Sequence, residues 1–348
     1  MSSDSATLDF LDRKTVAQIL LGFLVAGGVI ALLVDFVGTE GVLSGLRRAD
    51  LGWLALACLS TAICLTAWGK AWQIVLGVAG IEESFSKLVV TYYAATFANY
   101  VTPLGQAGGE PFIAYVLSRD TEASYQDSLA SVVTADLLNL FPFVTFSGVG
   151  FAALLYGSEL PEAIEPLAGG LVVLSVGVPL LTAVGWRFRD QLRRAVLRLS
   201  APLVDHLPVV SLDGLRSRIH ETEAAFERIA RDRRALAKAL SVSYVGWVFF
   251  ALPLYFSAQA IGAELPLVLV FFIVPASTLA GLVPSPGGSG AVETALVVLV
   301  VALSAIGQTD AAVIAILYRV ASYLFALLLG GGAALYVLKR NQERWLTV

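Results

Sequence analysis

The sequence predicts an all-α, polytopic integral membrane bundle. Three observations predict it. Of 348 residues, 57% are hydrophobic and only 14% charged, where a soluble domain carries roughly 25% charge. The mean hydropathy is +0.78. Charge-free runs recur along the chain, each near the ~20 residues a spanning helix needs. Finally, two apolar stretches are interrupted by matching proline and glycine knots. No ten-residue segments alternate with period two, so a β-barrel is not expected.

The runs are Thr15–Val34, Leu51–Gly69, Leu137–Ser158, Pro166–Trp186, Ala239–Ala263 and Val320–Leu338. They predict six full spans, each helix satisfying its own backbone where lipid cannot. Thr15–Val34 follows a polar leader with Asp4, Asp9 and Asp12 and ends without a small-x-small cleavage site. It reads as a retained helix rather than a signal peptide. Cys58 and Cys64 lie six residues apart in one predicted helix and point to different faces, so they cannot bridge each other. With these two and His206 and His220, no metal site and no cofactor are expected.

Basic residues orient the bundle. Arg187–Lys238 carries 12 basic and 7 acidic residues, which places it in the cytoplasm. Lys339, Arg340 and Arg344 place the C-terminal tail there, and Arg13 and Lys14 the N-terminus. Gly157–Glu165 has three glutamates and no basic residue, an outside loop; only Arg47 and Arg48 oppose this assignment. The expectation is a multi-pass plasma-membrane protein with both termini cytoplasmic. Within the linker, about 187–238, Trp186–Leu199 reads as an amphipathic interfacial helix. Asp213–Leu240 repeats Leu215, Ile219, Phe226, Ile229 and Leu236 at helical spacing. It reads as a surface helix packed on the bundle or, alternatively, one contacting anionic lipid. Lys70, Trp68 and Trp72 are expected to snorkel and anchor at the interface.

The interrupted stretches are Leu88–Leu117, broken at 99–111, and Pro266–Ile306, broken at 283–293. Proline removes an amide donor and glycine loosens the helix. Unwound backbone at membrane depth is tolerated only inside protein or against a watery cavity. Each stretch is therefore either a re-entrant hairpin or two ordinary spans joined by a short loop, for eight to ten membrane segments in all. Sliding the chain by 183 residues aligns Pro103 with Pro286, Gly105 with Gly288, Glu110 with Glu293, Asp127 with Asp310 and Gly148 with Gly331, and sets Asp136 opposite Arg319. The first knot enters from inside and the second from outside, the pattern of an inverted-topology repeat. The expected organisation is one membrane domain, 1–348, with repeat 1 at about 51–156 (helices 51–78 and 128–156) and repeat 2 at about 239–338 (helices 239–260 and 311–338).

A helix N-terminus presents free amides to an anion, and glycines let it approach. Pro111 suits a first helical turn, with Glu110 at its cap. Arg319 suits a phosphate partner, being always charged and able to hold two oxygens. Its other reading is a structural ion pair with Asp136, Glu110 or Glu293. Glu110 and Glu293 are either caps or proton or cation carriers. The residues expected to bind substrate are Asn99, Pro103, Gly105, Gly108, Gly109, Glu110, Asp136, Pro284, Pro286, Gly287, Gly288, Gly290, Glu293 and Arg319.

Asn99, Pro103 and Gly108-Gly109-Glu110, then Pro284 through Glu293, then Tyr318-Arg319, resemble the lysylphosphatidylglycerol synthase transmembrane (flippase-like) family over nearly the whole chain. The resemblance implies a stand-alone membrane domain, without the aminoacyltransferase part, that moves lipids or lipid-linked headgroups between leaflets. The leading expectation is a lipid translocator for an anionic phospholipid or a polyprenyl phosphate-linked lipid. The alternatives are an ion-coupled transporter of a small solute and a non-transporting partner of a glycosyltransferase. No ATP-binding motif and no nucleophile–base spacing are present in the sequence. Enzyme activity and nucleic-acid binding are not expected, and homodimerisation stays open.

Overall fold

The computed structural model describes residues 34–101, 113–114, 117–118, 123–157, 212–281, 283 and 285–346, with single positions between 24 and 32 and between 177 and 194. Among them every regular element is a helix. In chain order these are α1 (Thr39–Arg48), α2 (Leu51–Val78), α3 (Phe85–Val101), α4 (Tyr125–Gly157), α5 (Leu212–Arg231), α6 (Arg233–Ala260), α7 (Leu267–Ala280), α8 (Ala291–Leu303), α9 (Gln308–Arg319) and α10 (Phe325–Leu346). A 3₁₀ turn, Pro286–Gly288, precedes α8, and a π turn, Val320–Leu324, joins α9 to α10. Among the described residues five stretches are long and apolar enough to cross a membrane: Leu51–Val78, Tyr125–Ala152, Arg233–Ala260, Pro286–Leu303 and Gln308–Val337. The chain is a polytopic helical membrane protein. The expected spans at 15–34 and 166–186 fall almost wholly outside the described residues.

α2 and α6 share one plan. Each has 28 residues. Asp50 Oδ1 accepts from the Gly52 amide at 2.7 Å, and Asp232 Oδ1 from the Ala235 amide at 2.9 Å. Such caps satisfy amides that the first turn leaves without partners. The ends match too. Gly80 and Gly262 take φ of 86° and 72°. Ile81 and Ala263 donate back to the Leu76 and Ala258 carbonyls, both at 3.0 Å, closing the same six-to-one loop. The separation throughout is 182 residues. α6 starts six residues before the expected 239 because Asp232 caps a turn holding Arg233 and Arg234.

The two helices pack antiparallel along their whole length. The Asp50 amide donates to the Ala260 carbonyl at 2.8 Å. Trp53 stacks on Phe256. Ser60 Oγ donates to the Phe249 carbonyl at 2.7 Å. Trp68 lies over Gly246, where a Cβ would stand 2.4 Å from its indole. An operation that carries α2 onto α6 therefore reverses the direction of the chain. Two further packings cross the chain: α3 lies on α10, and α7 lies on α4. In both crossings a glycine of the longer helix admits the shorter one. A Cβ at Gly150 of α4 would stand 2.6 Å from Phe272 of α7, and one at Gly330 of α10 2.5 Å from the Tyr93 carbonyl of α3.

Trp68 and Trp72 do not anchor at an interface. Trp72 is buried edge-on against Tyr92, and Trp68 packs on Trp247 and Phe250. The α2–α6 crossing holds the Trp68 indole, and the packing of α3 on α2 holds that of Trp72. Lys70 does stay exposed, donating to Gln73 Oε1 at 2.6 Å. α5 lies on the bundle as expected: Ile229 is fully buried and Phe226 packs on the same cluster. The single helix expected over Asp213–Leu240 is broken at Asp232, which caps α6, and Leu236 joins that cluster from α6. Of Trp186–Leu199 only Arg187–Gln191 and Arg194 are described; Arg189 bridges to Glu227 at 3.1 Å. α1 docks on α9, with Gly41 against Thr309 and Gly45 against Val313.

Candidate functional site

The second knot is a broken turn between two short helices. α7 has 14 residues and α8 has 13, about 20 Å each at 1.5 Å per residue. Neither crosses the ~30 Å hydrocarbon core alone; only with the preceding turn does Pro286–Leu303 reach eighteen residues. Gly287 (φ 57°), Gly288 (φ 65°) and Gly290 (φ 89°) take left-handed conformations that L side chains rarely adopt. Space imposes the same choice. A Cβ on Gly288 would meet the Gly281 Cα at 2.6 Å, and one on Gly287 the Tyr323 ring at 2.1 Å.

Glu293 and Arg319 hold this turn inside the bundle. Glu293 Oε2 accepts from the Gly290 amide at 2.6 Å, capping α8. Its Oε1 accepts from Arg319 Nε at 2.7 Å. Arg319 Nη2 donates to the Gly287 carbonyl and to Ser289 Oγ, both at 3.0 Å. The guanidinium carbon lies 4.1 Å from the centre of the Tyr323 ring, a cation–π contact. The pair is buried, with side-chain exposures of 12% for Arg319 and 3% for Glu293. Tyr323 Oη in turn donates to the Tyr100 carbonyl at 3.3 Å at the end of α3, and the two rings lie 5.2 Å apart.

This geometry decides among the readings of Arg319. Its carboxylate partner is Glu293, and the pair nets to zero charge. Glu293 is a cap: its own carboxylate fills the α8 N-terminus that an anion would need. Among the described residues nothing engages Arg319 Nη1, the one guanidinium nitrogen left for a further acceptor. Asp136 does not meet Arg319; it lies on α4 within electrostatic reach of Tyr92. Asn99 sits in the last turn of α3 with its amide oxygen buried and unpartnered. Pro286, Gly287, Gly288, Gly290, Glu293 and Arg319 thus come together. Pro103, Gly105, Gly108, Gly109, Glu110 and Pro284 lie outside the described residues. Ser289, Tyr100 and Tyr323 join the site unforeseen; the available signal was Tyr323 one helical turn after Arg319.

The family model of the lysylphosphatidylglycerol synthase TM region matches residues 19–330. The chain belongs to this family. A UPF0104 membrane protein of Methanothermobacter thermautotrophicus is 26% identical over 342 residues, covering 96% of this chain and 97% of the relative. One from Pyrococcus horikoshii is 24% identical over 87% of this chain and 92% of its own length. Another, from Methanocaldococcus jannaschii, is 33% identical over 67% of this chain and 91% of its own length. For a member of the lysylphosphatidylglycerol synthase TM region family, a charged pair buried within the helical bundle is a functional-site hypothesis by default.

Proposed function

We propose that this protein is a lipid translocator, moving an anionic phospholipid or a lipid-linked headgroup between leaflets, and that it is not an enzyme. In this reading the halves at about 51–156 and 239–338 form an inverted-topology repeat in the plasma membrane, with both termini cytoplasmic. The observation that carries it is the broken α7–α8 turn, fastened by Arg319 and Glu293 inside a bundle whose equivalent helices run antiparallel. Secondary transporters use broken helices of this kind, at the meeting of inverted repeats, for substrate sites. Among the described residues, Arg319 and the unpartnered Asn99 amide oxygen are polar groups that this reading assigns to the headgroup. Glu293 already serves Gly290 and Arg319, which weighs against a proton-carrier role at that position.

The test is inter-leaflet transfer. The protein is reconstituted in vesicles carrying a fluorescent anionic phospholipid or polyprenyl phosphate lipid, and label in the outer leaflet is bleached chemically. Wild-type vesicles should bleach beyond the outer-leaflet fraction, and Arg319→Ala vesicles should not. Wild-type transfer equal to that of empty vesicles across these lipids would overturn the reading.

A further inference from the structure

We infer that Tyr323 is a positioning residue that couples the end of α3 to the broken turn before α8, so that the two segments move together. The inference does not depend on what the protein transports. It rests on where two carbonyls, one on each segment, find side-chain donors. Tyr100 is the penultimate residue of α3, and its carbonyl accepts from Tyr323 Oη at 3.3 Å. The Gly287 carbonyl, in the 3₁₀ turn, accepts from Arg319 Nη2 at 3.0 Å. The two donors stand four residues apart, and the Tyr323 ring lies under the guanidinium at 4.1 Å. One rung therefore serves both segments.

The packing says the same. The Tyr323 ring fills the place that a Cβ on Gly287 would take and contacts the Tyr100 ring on its other side at 5.2 Å. Withdrawing the α3 end removes the Oη bond and one ring contact. Withdrawing Gly287 removes the opposite wall and loosens Arg319. Either motion disturbs the support of the other segment. Tyr323 also sits in the π turn Val320–Leu324, a local widening that recurs at functional sites.

The experiment is a coupling cycle read by thiol labelling of the full chain in detergent micelles. Cys58 and Cys64 are replaced by alanine, and a reporter thiol is introduced by Val101→Cys at the end of α3. The perturbation is placed on the other side, by Glu293→Gln and, more gently, by Ser289→Ala. With Tyr323 present, each should speed maleimide labelling of the reporter, Glu293→Gln by about fivefold, the equivalent of one hydrogen bond. With Tyr323→Phe, which keeps the ring and loses Oη, the acceleration should fall to about twofold or less. Equal acceleration in both backgrounds, or none in either, would overturn the inference. Ser289→Ala keeps the test decisive if Glu293→Gln does not fold.

Discussion

Arg319 and Glu293 form a buried ion pair, 2.7 Å from Nε to Oε1, in which each partner also holds the backbone of the same turn. Breaking such a pair from one side leaves an uncompensated charge, a loss of about 3–5 kcal/mol. Glu293→Gln and Arg319→Met are each expected to lower the thermal midpoint in micelles sharply. The double variant should recover part of the loss, because no lone charge remains, but not all of it, because the Gly287 carbonyl loses its donor. Arg319→Lys keeps the charge yet cannot address Glu293 and Gly287 in two directions at once, so it should rank between Met and wild type. Equal stability of Arg319→Lys and wild type would contradict the fork geometry.

The two helix crossings make a second prediction. At Gly330 an added methyl meets a backbone carbonyl, and at Gly150 the backbone of Phe272; neither can swing aside. Gly330→Ala and Gly150→Ala should each cost about 1–3 kcal/mol, the usual cost of overpacking. At the neighbouring Gly331 the added methyl stands 3.5 Å from the Phe97 ring, an ordinary contact. Gly331→Ala should be neutral or stabilising, since alanine is the better helix former by up to about 1 kcal/mol. Thermal unfolding of the three variants side by side checks the contrast.

How far the sequence was legible follows from what each residue type signals. The start of α2 at Leu51 is marked by the charge-free run that begins there, whereas its end at Val78 lies beyond Lys70, where that run stops. α6 was placed too late because its first turn carries arginines, which composition assigns to a linker. The knots align at 183 residues, whereas the caps and ends of α2 and α6 stand 182 apart. At the site, Glu293 and Arg319 stood out as rare charges among apolar residues. Their pairing with each other was one of three choices, because equivalence under a repeat sets Arg319 opposite Asp136 without making them neighbours. Tyr100 carried no signal and Tyr323 only its place one helical turn after Arg319: tyrosine is common here, with 11 in the chain, and its hydroxyl gives no hint of which carbonyl it caps.

The matched caps offer a third prediction. Asp50→Ala and Asp232→Ala each remove one side-chain acceptor from a helix start, at a cost of about 1 kcal/mol. The two caps lie at opposite ends of the antiparallel α2–α6 pair, about 40 Å apart from the helix length. Their effects should therefore add within a few tenths of a kcal/mol. A double variant that loses much more than the sum, measured by thermal or denaturant unfolding, would mean that the two ends communicate.

The linker helix α5 gives the last prediction, a contest between charge and packing. Arg228 Nη2 lies 2.6 Å from Asp127 Oδ1 at the start of α4, a short ion pair, but the Arg228 side chain is 52% exposed. Exposed pairs contribute about 0–1 kcal/mol, and half-molar salt screens them further. Ile229, the next residue, is fully buried between α5 and the bundle, and truncating such a side chain costs about 2–5 kcal/mol. Trypsin cleavage within α5 reports its release, because Arg228 and Arg231 are themselves cleavage sites. Ile229→Ala should speed that cleavage strongly at any salt concentration. Asp127→Asn should change it less than about fivefold, and the difference from wild type should vanish in high salt. If Asp127→Asn frees α5 as readily as Ile229→Ala does, then charge rather than apolar packing holds the linker to the bundle.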